Sequence, residues 1–483
     1  MNGTQRLVVV IAVLASFVSF LDGVVVNVAL PAIEADLGGG LTTQQWAVDA
    51  YLVTLGSLIL IAGSLSDAFG RVRVLTVGLL GFGATSLFVA LAWDPTVLIF
   101  ARALQGVAGA LLVPSSLALI TSRISGPAQS RAIGVWTAFT TVAMLIGPFL
   151  GGAFVDLLSW RWVFVINVVP IAVTLLLLPR IGTEPAPAPG TRIDLLGAAL
   201  CTFGLAGLVV ALIEQPDLGW GHPVVWAGGG LGVLLLAGFL WRQRVAPRPI
   251  MPLDLFRVRN FWTGNLATLF IYAALSLQGF VLVVWLQQGA ELPATLAGVA
   301  ALPATLLMIL LSSRVGALAG RWGPRAFMTV GPIVAGIGTA LLLNIRLPFD
   351  YWWQVLPGVL VFGLGLTLTV SPLTSAILGS IDPARSGIAS AVNNAVSRVA
   401  GLLVIAMIAA IIGGRLDVDG LHRALLVCSV LLVAGGVVSF FGIRNEHVRG
   451  HAGSAEDGDA AGAGDAAGDS ADAAAPAPSA EQG

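Results

Sequence analysis

Residues 7–31 read LVVVIAVLASFVSFLDGVVVNVALP, an apolar run interrupted by one charge, Asp22. At ~1.5 Å per residue, a helix over this run outreaches the ~30 Å hydrocarbon core of a bilayer. Further runs of this character lie at about 46–66, 73–93, 96–121, 131–155, 162–179, 194–213, 223–243, 261–288, 294–319, 325–346, 352–378, 387–413 and 421–443. Composition agrees: 57% of residues are hydrophobic, 10% are charged and the mean hydropathy is +0.94. A soluble domain carries about a quarter charged residues. The expected class is an all-α polytopic membrane protein with about 14 transmembrane helices.

Arginine sets the expected orientation, because the chain has no lysine. With the N-terminus inside, the inner connections hold Arg6, Arg71, Arg73, Arg123, Arg131, Arg180, Arg192, Arg242, Arg244, Arg248, Arg257, Arg259, Arg314, Arg321, Arg325, Arg385, Arg444 and Arg449, and the outer ones only Arg161, Arg346, Arg415 and Arg423. That bias satisfies the positive-inside rule and places both termini in the cytoplasm, with the chain in the plasma (inner) membrane. The first run has no small-residue cleavage site behind it and is expected to stay as an anchored helix. Cys201 and Cys428 lie within apolar runs as small hydrophobes; neither a disulfide nor a metal site is expected.

The connections divide the runs into six, two and six: residues 1–180, a linker unit of two helices with flanking loops over 181–260, and residues 261–445. Gly182 to Gly190 is Pro-rich and cannot continue a helix. Residues 446–483 form an acidic, Ala- and Gly-rich tail, expected to be disordered in the cytoplasm because it has too little apolar surface to offset chain entropy. The loop Gly63-Ser64-Leu65-Ser66-Asp67-Ala68-Phe69-Gly70-Arg71-Val72-Arg73 is echoed after the tenth run by Gly316-Ala317-Leu318-Ala319-Gly320-Arg321-Trp322-Gly323-Pro324-Arg325. Such parallel repeats build transporters whose substrate cavity lies between the halves.

Four stretches carry chemistry. In Leu21-Asp22-Gly23-Val24-Val25-Val26-Asn27-Val28-Ala29-Leu30-Pro31, the carboxyl of Asp22 sits inside an apolar helix, where it costs several kcal/mol and marks a functional site. In the Gly63–Arg73 loop, Gly63 and Gly70 permit close approach and tight turning, and Asp67 has Arg71 at i+4 and Arg73 nearby. Arg102-Ala103-Leu104-Gln105-Gly106-Val107-Ala108-Gly109-Ala110 carries an arginine within the hydrocarbon, which must face a partner or water, or else snorkel. In Gly147-Pro148-Phe149-Leu150-Gly151-Gly152, with Gly134 upstream, the proline breaks the hydrogen-bond ladder and the glycines allow close packing.

Together these stretches, over about residues 5–445, resemble the major facilitator superfamily, and within it the fourteen-helix drug:proton antiporters. The resemblance implies a fold of two six-helix bundles plus two inserted helices. It implies proton coupling through Asp22 and Arg102, a conformational latch at Gly63, Asp67, Gly70, Arg71 and Arg73, and antiporter direction from Gly134, Gly147, Pro148, Gly151 and Gly152. There are departures: Val24 replaces a usual Thr, Ala143 a usual Gly, and Gly320 the acid of the second loop. Asp49, near an outer end where a carboxylate is cheaply hydrated, is a further protonation candidate. Asn27, Gln105, Gln278, Asn393, Asn394 and Arg398 are candidates to line the cavity, and Trp160 and Trp162 read as interface anchors.

The expected function is proton-coupled export of hydrophobic or amphipathic small molecules by alternating access, with the bilayer, protons and the substrate as partners. No nucleic-acid partner or cofactor is expected, the energy source is the proton gradient, and a monomer is expected. The alternatives are a solute:proton symporter and a non-transport membrane enzyme or sensor scaffold. Against an enzyme, His222, His422, His447 and His451 are scattered rather than clustered. The runs from 261 onward hold no Asp or Glu in their apolar cores, which argues against a dicationic drug site and leaves neutral, monocationic and anionic substrates open.

Overall fold

Helices dominate the described chain, which in the computed structural model covers residues 1–182, 193–247, 249–382 and 385–445, the Pro127 side chain excepted. Fourteen are long and apolar enough to span a membrane: α1 Gly3–Leu37, α2 Gly40–Phe69, α3 Arg71–Ala90, α4 Pro95–Arg123, α5 Ala128–Leu157, α6 Trp162–Ile181, α7 Leu195–Leu218, α8 Pro223–Val245, α9 Arg259–Gln288, α10 Ala294–Trp322, α11 Pro324–Asn344, α12 Tyr351–Gly379, α13 Ser386–Ala406 and α14 Val418–Gly442. The Pro-rich stretch and the acidic tail lie outside the described residues, Gly182 excepted.

Helix starts follow their local chemistry. Asn2 and Gln5 form a reciprocal capping box at α1, and Asp94 caps α4 ahead of Pro95. Several helices outrun their apolar runs, since backbone hydrogen bonding does not stop at the edge of the hydrocarbon; α1 continues to Leu37, where Gly38 ends it. Other runs are interrupted. The sixth turns at Ile166 and Asn167, the tenth at Ala300 and Ala301 and the twelfth at Val355, and the thirteenth stops at Ala406 before a short helix, Ile408–Ile412.

The repeat is visible in three dimensions. Gly70, between α2 and α3, and Gly323, between α10 and α11, have φ of +94° and +83°, a conformation that L side chains rarely adopt. The packing pairs also recur: α1 on α5, α2 on α4 and α3 on α4 are matched by α9 on α13, α10 on α12 and α11 on α12. Two sets of six helices result. Of the inserted pair, α7 packs on α2 and α13 through Val53, Cys201, Leu205, Val209 and Leu402. Its partner α8 is peripheral, with 17% of its most apolar window buried against 67% for α1.

A group of hydrogen bonds joins the two sets at one end, where α1 ends and α2 begins. There Gln45 Nε2 donates to the carbonyls of Ile405 and Ala406 at 2.7 and 3.1 Å. Gln287 Nε2 donates to the Val28 carbonyl at 3.0 Å. The Asp156 carboxylate accepts from Ala294 N, Thr295 N and Thr295 Oγ1 at 2.9, 2.8 and 2.6 Å, closing the end of α5 over the start of α10. Trp160 is not an interface anchor: it is 3% exposed and donates to Asp36, which also pairs with Arg161. Its ring has a packed partner in Phe164 and so needs no headgroups; Trp162 is 47% exposed. Outside the spans, the hydrogen-bonded guanidinium of Arg385 holds the Asp254 carboxyl below its ordinary range.

Candidate functional site

Asp22 faces inward from α1 and is wholly buried, with Arg102 and Gln105 one helical turn apart on the facing side of α4. Arg102 Nη1 donates to Asp22 Oδ2 and to Gln105 Oε1, each at 2.7 Å, and Nε donates to the Ala47 carbonyl at 2.8 Å. Gln105 Nε2 donates to Asp22 Oδ1 at 3.1 Å and to Ser86 Oγ at 2.9 Å. Asn167 Nδ2 reaches Asp22 Oδ1 at 3.2 Å from the turn in α6. The guanidinium carbon of Arg102 lies 4.4 Å from the Tyr51 ring centroid and 5.6 Å from that of Phe164.

Arg102 therefore does not snorkel; at 1% exposure it is neutralised in place. Removing one partner of such a buried pair leaves an uncompensated charge, at a cost of about 3–5 kcal/mol. Ser86, Tyr51, Phe164 and Asn167 complete the site and escaped sequence reasoning. Only Asn167, a polar residue in an otherwise apolar run, offered a signal; the others are ordinary residues of membrane helices.

Asp49 departs from expectation. It is not at a hydrated boundary but wholly buried in α2, and neither carboxyl oxygen has a hydrogen-bond partner. Its position near the start of the helix says nothing of depth, because α4 packs on α2 and Arg102 reaches the Ala47 carbonyl two residues before it.

Beside the Asp22–Arg102 pair lies a cavity of about 240 Å³, between α1, α2, α4 and α5 of one set and α9 and α13 of the other. Phe20, Val26, Val48, Leu52, Met144 and Ile405 supply apolar walls; Asn27, Tyr51, Arg102, Tyr272, Ser276, Asn393, Asn394, Ser397 and Arg398 supply polar ones. Two cavity candidates lie elsewhere. Gln105 is turned into the Asp22 site, and Gln278 accepts from Thr339 Oγ1 at 2.7 Å, between α9 and α11. Both are buried amides that bond to neighbouring helices.

The loop between α2 and α3 holds Asp67 and Arg71 at 3.2 Å, with side chains 55% and 33% exposed; Arg73 is exposed as well. Gly70 makes the turn, whereas Gly63 has open space around it. In α5, a Cβ at Gly147 or Gly151 would meet α1 at Leu21 or Val25, and one at Gly152 would fall on the backbone of Ala294 and Thr295 in α10. Pro148 presents its carbonyl to Gly298 of α10. Gly134 differs from the other glycines: nothing approaches it within 4 Å.

The sequence profile of the Major Facilitator Superfamily matches residues 12–405. The chain is 35% identical over 419 residues to the puromycin resistance protein pur8 of Streptomyces alboniger, covering 83% of this chain and 80% of that one. It is 32% identical to the methylenomycin A resistance protein of Bacillus subtilis strain 168 (85% and 88% covered). It is also 32% identical to the cephamycin export protein CmcT of Amycolatopsis lactamdurans (85% and 86%). Among solved structures, the peptide transporter POT in complex with sulfate superposes with a TM-score of 0.67 at 15% identity, over 91% of this chain and 94% of that one. A bacterial homologue of the human lysosomal transporter Spinster gives 0.65 at 16%, over 91% and 97%. These structural likenesses bear on the fold.

Proposed function

This chain belongs to the major facilitator superfamily as a small-molecule efflux transporter, and we propose that it couples export of hydrophobic or amphipathic compounds, antibiotics among them, to proton entry by alternating access. The observation that carries the coupling is the buried Asp22–Arg102 pair, set directly beside a cavity between the two six-helix sets. A proton on Asp22 removes the anion that neutralises Arg102 and frees a guanidinium that already lines the cavity. Protonation and cavity charge thus change together. Asp49, buried with neither carboxyl oxygen hydrogen-bonded, is the second proton-carrying candidate.

Arginine distribution supports an orientation with both termini in the cytoplasm; the protein is proposed to act as a monomer in the plasma membrane. In that orientation the seal at Gln45, Asp156 and Gln287 is on the outer side. The glycines of α5 fit antiport because they let α5 pack against both α1 and α10 at that seal. Asp67 and Arg71, on the inner side, serve to hold one conformation. No cofactor is required, since the gradient supplies about 2.3 kcal/mol per charge per 100 mV plus its pH term.

The test is transport into everted vesicles. Asp22→Asn is expected to abolish proton-driven accumulation of an exported antibiotic while passive exchange of bound substrate persists. Accumulation at the wild-type rate in that variant removes Asp22 from the coupling step and passes the role to Asp49.

A further inference from the structure

Two guanidinium groups line the cavity, and they are not equivalent. Arg102 is neutralised by Asp22 at 2.7 Å. Arg398, one turn beyond Asn394 on α13, forms no ion pair among the described residues, and its Nε is buried without a hydrogen-bond partner. Among the described residues, no Asp or Glu lines the cavity. Across the interface, Gly56 of α2 lies against the Arg398 Cβ and brings no charge. A cation in a cavity within the membrane-spanning part of the protein is costly unless something pairs with it.

Building on the export reading, we infer that the substrates are amphipathic organic anions whose carboxylate pairs with Arg398. The guanidinium fork donates two parallel hydrogen bonds to a carboxylate. Asn394, Ser276 and Tyr272 line the same cavity with further polar groups, while Phe20, Leu52 and Met144 offer an apolar wall for the rest of the molecule. A cationic compound meets the reverse: an uncompensated like charge and no carboxylate on the cavity wall to offset it.

Three probes with one fluorophore separate the charges: dansylglycine (anion), its methyl ester (neutral) and dansyl-ethylenediamine (cation). Binding to the full-length protein in lipid nanodiscs is read by fluorescence titration. The wild type is expected to bind dansylglycine at least about tenfold more tightly than either of the others. Arg398→Gln should erase that preference with ester affinity unchanged, and Arg398→Lys should keep part of it. Dansylglycine binding no better than the ester, including no saturable binding at all, overturns the inference without recourse to any variant. So does an Arg398→Gln variant that loses acid and ester alike, which marks a structural role. Proton-driven accumulation of the ester or the cation in everted vesicles, with no preference for the acid, overturns the anion inference and leaves export standing. Selective acid binding with no accumulation of any probe supports the Arg398 site and overturns export instead.

Discussion

Asp22 is held by three donors from two helices, Arg102 and Gln105 on α4 and Asn167 on α6, so its replacement acts on stability as well as on coupling. Asp22→Asn strands the Arg102 charge at 1% exposure, and a loss of about 3–5 kcal/mol is expected. Arg102→Gln in the same chain removes the stranded charge and should recover much of that loss without restoring transport. Thermal unfolding in nanodiscs of the two single variants and the double variant measures the coupling as a cycle. A double variant no more stable than Asp22→Asn alone contradicts the pairing. Residues 22 and 102 were legible as candidates, because charges in apolar runs stand out. That they are partners was not, since 80 positions separate them and a helix pattern does not say which faces meet.

At the scale of the element, α5 shows how glycines in one motif divide their work. Gly152 lies against the backbone of Thr295, whereas Gly134 has nothing within 4 Å. A leucine at Gly152 meets backbone that cannot step aside, so Gly152→Leu is expected to abolish efflux even where the protein is inserted. Gly134→Leu should cost little, with efflux within about twofold of wild type, because small effects are usual at sites without close neighbours. Efflux assays normalised to membrane-inserted protein compare the two. Equal loss at both positions shows that the helix is sensitive along its whole length and that α5–α10 contact is not the cause. The sequence pattern marks both glycines alike, and the difference arises only when α10 is laid against α5.

The whole molecule is shown in one conformation, sealed where Asp156 caps the start of α10 and Gln45 and Gln287 bond across the sets. Asp156→Ala removes three hydrogen bonds from that seal. Because Asp156 is exposed, the expected cost is about 1 kcal/mol rather than the larger value of a buried charged bond. That is enough to shift a two-state equilibrium roughly fivefold toward opening at this end. Spin-label distances between α5 and α10, measured in wild type and variant, read the populations directly. Unchanged distances would show that the packing of Gly152 and Gly298 holds the seal without the carboxylate.

Apolar run length and arginine placement determined by themselves that this chain spans a membrane about fourteen times, since burial in hydrocarbon imposes a minimum length on each helix. The internal echo of the Gly63–Arg73 loop likewise announced two related halves, because a tight turn between helices restricts which residues fit it. Asp22, Arg102 and Arg398 were visible too, charges being expensive in lipid wherever they lie. Only the tertiary structure decided that Asp22 neutralises Arg102 while Arg398 has no counter-charge among the described residues, that Asp49 is buried rather than hydrated, and that Gln105 and Gln278 turn away from the cavity. Each of these depends on the rotation of one helix against another. Lipid is as apolar as leucine, so the hydrophobic pattern of a membrane helix does not encode that rotation, which close packing of small residues and a few buried polar bonds settle instead.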